Sequence, residues 1–285
     1  MPCMPLPYKA FADHHPRSDD SIKNSSDAPP RVIAISNQKG GVGKTTTAIN
    51  LATAIAACNF QILLIDLDAQ SNTSTGLMVS PDARNQGIYP VLTGQISADQ
   101  SIFQTQIPGL HMIPASVDLA AAELYLTGQE QREYRLAQSL EAILGHYDYI
   151  LIDCPPALGL LTINALCLAD SVLIPVQCEF YALEGLGRMA SSIERIKAAL
   201  NRKLELAGIL LTMVDRRNKL SEQVERDVRD HFGTVVFETT IPRNVKLSEA
   251  PSHGMPALFY DPQCRGALAY MQLAAEFLQR EGRLP

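Results

Sequence analysis

The feature that most restricts this chain is QKGGVGKTTT at 38–47, set between an apolar run, RVIAIS (31–36), and a helical pattern, TTTAINLATAIAAC. A β-branched run, a glycine-rich turn and an immediate helix form the context in which a backbone wraps a phosphate group. Gly40, Gly41 and Gly43, with Val42 between them, let the chain turn tightly enough for several N–H groups to face one set of oxygens. The helix starting near Lys44 adds its positive end. The spacing assigns Lys44 to the β and γ phosphates, the Thr45 hydroxyl to Mg²⁺ and Thr46 to the α phosphate. Glycines alone would be weak evidence; glycines plus GKT between strand and helix are strong. One departure is informative. The usual pattern begins with glycine where this chain has Gln38, and Lys39 places a second lysine in the loop. Because Lys44 already serves the phosphates, Lys39 is free to reach the nucleotide of a facing subunit.

Further apolar runs follow at 61–68, 110–116, 147–156, 171–177, 204–214 and 234–242, with helical patterns between them, notably at 183–200, 219–232 and 264–281. Strands that are apolar throughout and separated by helices predict a doubly wound α/β fold, a mostly parallel sheet covered on both faces. Residues 31–285 read as one such domain. Residues 1–30 hold six of the 18 prolines and little periodic apolar pattern, so they read as a disordered tail without the apolar core of a secretory signal. No apolar run reaches the ~18 residues of a membrane span. The six cysteines form no CxxC pair and no zinc-ligand spacing. Neither disulfides nor a metal cluster is expected, and the chain reads as cytoplasmic.

Three aspartates stand where an open parallel sheet places its ligands, at the carboxyl ends of strands. Asp66 and Asp68 close the run at 61–68, and Asp153 closes YILI. Asp153 is assigned to Mg²⁺, directly or through water, and a turn after the second strand can bring Asp66 and Asp68 to the γ-phosphate. Nothing in the sequence marks an arginine finger in cis, an element worth about 10³ to 10⁵ in rate, so slow intrinsic hydrolysis is expected.

With 24 Lys plus Arg against 30 Asp plus Glu, the formal charge is -6, which excludes a uniformly basic nucleic-acid binder. Cations concentrate locally, in Arg216, Arg217 and Lys219 of TMVDRRNKL and in Arg243 and Lys246 of RNVK. Each cluster follows a predicted strand, so both are placed on loops near one face. Composition alone reads them as solvated loops. No recognition helix or aromatic stacking platform accompanies them.

KGGVGKTTT resembles the deviant Walker A motif of the ParA/MinD ATPase superfamily. The likeness continues through LLIDLDAQSNTSTGL (63–77), YDYILIDCPPALGLLTINAL (147–166), IPVQCEFYALEGL (174–186) and IPRNVKLSEAPSHGMP (241–256), and these are similar to the chromosomal ParA, or Soj, subgroup. The resemblance implies that Lys39 contacts ATP across a nucleotide-sandwich homodimer. It implies that Asp68 positions or activates the attacking water, that Asp66 helps the magnesium shell, and that the segment after Asp153 senses the γ-phosphate. It puts Pro242 and Asn244 near adenine, and gives Arg217 and Lys246, with their basic neighbours, to non-specific double-stranded DNA on the nucleoid. A ParB-like partner would trigger hydrolysis. A MinD-like membrane ATPase would instead need a basic amphipathic helix at the C-terminal end, where YMQLAAEFLQREGRLP has a core-like face and mixed charges. An iron–sulfur relative would need an exposed cysteine pair, and a small-molecule ligase a dedicated substrate pocket.

Overall fold

The structure, a computed structural model, describes residues 29–284. The tail expected at 1–30 lies outside these but for its last two residues. A strand that is apolar on both faces has none to give to water, and β2 (Ile62–Asp66) and β5 (Tyr149–Asp153), apolar up to their closing aspartates, are buried from end to end. With β1 (Arg31–Ile35), β3 (Phe103–Gln104), β4 (Leu110–Ile113), β6 (Ser171–Gln177) and β7 (Glu205–Thr212) they form one sheet in the order β3-β4-β2-β5-β1-β6-β7. Every pairing is parallel except that of β3 with β4.

Alternation along each strand divides the core in two. Ile33, Ile35 and Leu64 face α1 (Lys44–Ala56) and the helix Arg265–Arg280, whose Tyr270 and Phe277 are buried there. Val32, Ala34, Leu63 and Ile65 face the other layer, formed by helices that include Arg135–Leu144, Leu160–Leu168 and Ala182–Ala199. Each large side chain buried this way contributes about 1.5–3 kcal/mol. The Tyr270 hydroxyl also meets Thr47 Oγ1 at 3.1 Å, tying the last helix to the helix that follows the glycine loop. The helices expected at 183–200, 219–232 and 264–281 form at Ala182–Ala199, Lys219–Phe232 and Arg265–Arg280.

One expectation needs correction. The run at 234–242 is β-branched but forms only two isolated bridges, Ile209 with Val236 and Val214 with Pro242. The Phe237 and Ile241 N–H groups do donate to the Ile209 and Leu211 carbonyls of β7, but those of Glu238 and Thr239, which lie between them, donate to the Glu276 carboxylate at 2.8 Å, and Pro242 has no N–H to give, so no continuous ladder forms. The seventh strand is instead the two-residue β3. Among the described residues, Cys154, Cys167, Cys178 and Cys264 are free thiols.

Because β5 lies between β1 and β2, three loop-bearing strand ends meet at one edge. Asp66 and Asp153 are register partners across β2 and β5, and Ile35, the last residue of β1, is the partner of Asp153 in that strand.

Candidate nucleotide site

The loop after β1 takes its shape from two glycines. Gly41 and Gly43 adopt φ of 75° and 89°, a left-handed conformation that costs other residues free energy. A Cβ on Gly40 or Gly41 would meet open space, so the loop presents bare backbone to the region a phosphate would fill. Neighbouring strands hold the loop in place. Asn37 accepts from the Lys39 N–H at 3.0 Å and donates to the Pro175 carbonyl at 2.8 Å, and the Thr212 hydroxyl donates to the Val42 carbonyl at 2.8 Å. Lys44 is buried, its Nζ donating to the Lys39 carbonyl at 3.1 Å, and burial lowers its pKa against the opposing pull of Asp153. The Lys39 ammonium leaves the loop and pairs with Glu179, beyond the end of β6. Thr46 lies on α1, its carbonyl accepting from Asn50.

The three aspartates converge below this loop. Thr45 Oγ1 and Thr73 Oγ1 both donate to Asp153 Oδ2, at 2.8 and 2.7 Å. Asp153 Oδ1 is buried without a hydrogen-bond partner among the described residues. Burial and the neighbouring Asp66 push Asp153 up to about 7. Asp66 is raised to about 6, again by burial first, although the Ser74 N–H and Oγ donate to its Oδ2 at 2.9 and 2.7 Å. Asp68 lies beyond the end of β2 and is half-buried; its N–H donates to Asp66 Oδ1 at 3.3 Å and its own Oδ1 accepts from the Gln70 N–H. Lys44 feels both Asp153 and Asp68. An orphaned, buried carboxylate oxygen next to a threonine hydroxyl suits a hard divalent cation, which takes oxygen ligands.

Beside Thr45 and Thr46 opens a cavity of about 410 Å³, and Pro242, Arg243 and Asn244 form part of its wall. The residues expected near adenine therefore adjoin those expected at the phosphates. Asn244 also caps a short helix, accepting from the Lys246 N–H at 2.8 Å.

A family model described as an AAA domain matches residues 30–206. The chromosome partitioning protein ParA of Caulobacter vibrioides is 54% identical over 255 residues, which cover 89% of this chain and 96% of that protein. The chain belongs to the ParA/Soj family. The sporulation initiation inhibitor protein Soj of Bacillus subtilis is 49% identical over 246 residues, 86% of this chain and 97% of that one. The solved structure of cobyrinic acid a,c-diamide synthase from Mycobacterium smegmatis, with a bound ATP analogue and magnesium, superposes with a TM-score of 0.78 at 34% identity over 90% of this chain and 98% of that one.

In this ParA/Soj chain the two basic clusters come together. The Arg243 N–H donates to the Val214 carbonyl at 3.1 Å, so the segment of Arg243 and Lys246 runs beside that of Arg216, Arg217 and Lys219. Two of the five cations are paired. Arg217 holds Asp215 through Nε and Nη2 at 3.0 and 2.9 Å, and Lys246 reaches Glu249 at 2.9 Å. Arg216, Lys219 and Arg243 are exposed and carry no ion pair among the described residues. Sequence reasoning missed Thr73, Ser74, Glu179 and Thr212. The first two stand in LLIDLDAQSNTSTGL, where two hydroxyls a few residues past two aspartates were the available signal.

Proposed function

We propose that this chain is a DNA-partitioning ATPase that works as an ATP-dependent homodimer on double-stranded DNA without sequence preference, and that a ParB-like protein stimulates hydrolysis and release. The observation that carries the reading is the divergence of two lysines in one loop, Lys44 buried beneath it and Lys39 turned out to Glu179 at the surface. A lysine for the chain's own phosphates and another for a facing subunit is the arrangement a sandwich dimer requires.

The residues fit ATP and Mg²⁺. Gly40, Gly41, Val42 and Gly43 offer backbone N–H groups, Lys44 a buried charge, and Thr45 with Asp153 the oxygens for a cation. Bound there, Mg²⁺ would neutralise charge developing on the phosphates. Asp68, half-buried and within electrostatic range of Lys44, is the residue we assign to orienting water. Asp66, its oxygens taken by Ser74 and the Asp68 N–H, would order the turn that carries Asp68 and support the metal shell from behind. Pro242 and Asn244 would contact adenine. Arg216, Arg217, Lys219, Arg243 and Lys246, doubled in a dimer, would give weak phosphate contacts that add up only when ATP is bound. The chain would then act in the cytoplasm, on the nucleoid.

The membrane-bound alternative has less support. No helix among the described residues is long and apolar enough to cross a membrane, and the apolar face of the helix Arg265–Arg280 is used in the core. A ligase would need its acid substrate beside the phosphates. A second cavity, about 480 Å³, lies at the opposite end of the strands, around Arg31, Ser171 and Glu205.

DNA retention measured without nucleotide, with ADP, and with ATP on an Asp68→Ala variant tests the proposal. Retention with ATP alone, lost in Lys39→Ala and in Arg217→Glu, is expected. Dimerisation with ATP but no DNA held at low salt would refute the DNA part.

A further inference from the structure

Asp153 Oδ2 receives two threonine hydroxyls while its other oxygen receives none. A carboxylate oxygen has two lone pairs, so Thr45 and Thr73 together fill Oδ2. The two donors come from different places. Thr45 belongs to the helix of the glycine loop, whereas Thr73, fully buried, belongs to the short helix α2 (Asn72–Gly76) that follows the Asp68 turn. Its neighbour Ser74 holds Asp66 through both its N–H and its hydroxyl, and Ser74 Oγ in turn accepts from the Ala115 N–H at 3.0 Å. Since Asp66 and Asp153 face each other across β2 and β5, adjacent residues of one helix grip both carboxylates.

We propose that Thr73 is a positioning residue for the magnesium site, a role that rests on the assignment of Thr45 and Asp153 to the cation. Thr45 can offer an oxygen lone pair to a metal while its proton stays on Asp153 Oδ2, so its position is set partly by the metal. The bond from Thr73, which serves no metal, fixes the rotation of the Asp153 carboxylate and the direction of its unpartnered Oδ1. Ser74 does the same for Asp66. Hydrogen bonds of this kind, made to a ligand and not to the metal, typically govern about 10- to 100-fold in metal affinity.

The test uses the full chain and a fluorescent methylanthraniloyl-ATP, whose affinity is followed as Mg²⁺ is titrated. Thr73→Val keeps the shape of the side chain and removes the hydroxyl. It should raise the Mg²⁺ concentration needed by about 10-fold or more, with nucleotide affinity in EDTA unchanged. Thr73→Ser, which restores a hydroxyl, should return the wild-type titration, and circular dichroism checks that both variants fold. A wild-type titration from Thr73→Val would overturn the role of Thr73, as would a defect that Thr73→Ser shares. Nucleotide binding that ignores Mg²⁺ in the wild-type chain, or survives Thr45→Ala with its Mg²⁺ dependence intact, would instead overturn the underlying assignment and this inference with it.

Discussion

Lys44 donates its ammonium to the backbone carbonyl of Lys39 while the Lys39 side chain points the other way, to Glu179. The inner lysine thus braces the loop from which the outer one projects. Lys44→Ala should weaken ATP binding by about 10- to 100-fold, the range for losing a hydrogen bond from a charged group. Lys39→Ala should leave ATP affinity within about twofold and abolish ATP-dependent dimerisation, since an exposed side chain on its own subunit contributes little. Calorimetry and light scattering on the two variants separate these effects.

Glu179 competes for the same lysine that the facing subunit would need. Half-exposed ion pairs are worth at most about 1 kcal/mol and a homodimer gives up two of them, so Glu179→Gln should tighten ATP-dependent dimerisation by no more than about 30-fold. Sedimentation across a concentration series measures the shift. Weaker dimerisation in this variant would mean that Glu179 itself serves the interface.

The two raised carboxyl groups predict how stability depends on pH. Asp66 and Asp153 have ordinary values of 3.8 and are raised to about 6 and about 7 by burial, so the folded, metal-free chain holds protons that the unfolded chain releases. Their favourable contribution is complete below the ordinary value and is lost as pH rises through the raised ones. The metal-free protein should melt at a lower temperature at about pH 8 than at about pH 5, and Asp153→Asn should flatten much of that slope. Over the same window Mg²⁺ must displace protons, so its affinity should rise toward alkaline pH. Differential scanning calorimetry and Mg²⁺ titrations at several pH values check both signs.

Asp215 takes the Nε and Nη2 donors of Arg217 and offsets its charge, leaving Nη1 to face solvent, while Arg217 draws the Asp215 carboxyl down to about 2. The pair therefore stays ionised throughout the physiological range. Asp215→Asn should strengthen DNA retention at low salt, while Arg217→Ala should weaken it for all sequences alike and reduce the salt slope by about one per subunit. Binding assays over a range of salt concentrations give the slope directly.

The loop, the three aspartates and six of the seven strands were legible because each rests on local chemistry: glycines that permit a turn, apolar runs that need two covered faces, carboxylates at strand ends. What escaped depended on distant partners. The run at 234–242 has strand-like residues, yet Glu276, from the helix Arg265–Arg280, takes two of its middle amides and interrupts the ladder to β7. β3 is too short for periodicity to register. Thr73 and Thr212 look like any other threonines until the fold brings one to Asp153 and the other to the Val42 carbonyl. Glu179 gains meaning only when β6 sets it beside Lys39.

The bond between Thr47 and Tyr270 joins residues 223 positions apart. The sheet covers one side of the glycine-loop helix, but the side that meets Tyr270 and Phe277 stays open until the helix Arg265–Arg280 has been made. A nascent chain that has folded its sheet therefore holds its nucleotide loop on a helix packed on one side only, and the second layer closes over it when Arg265–Arg280 docks.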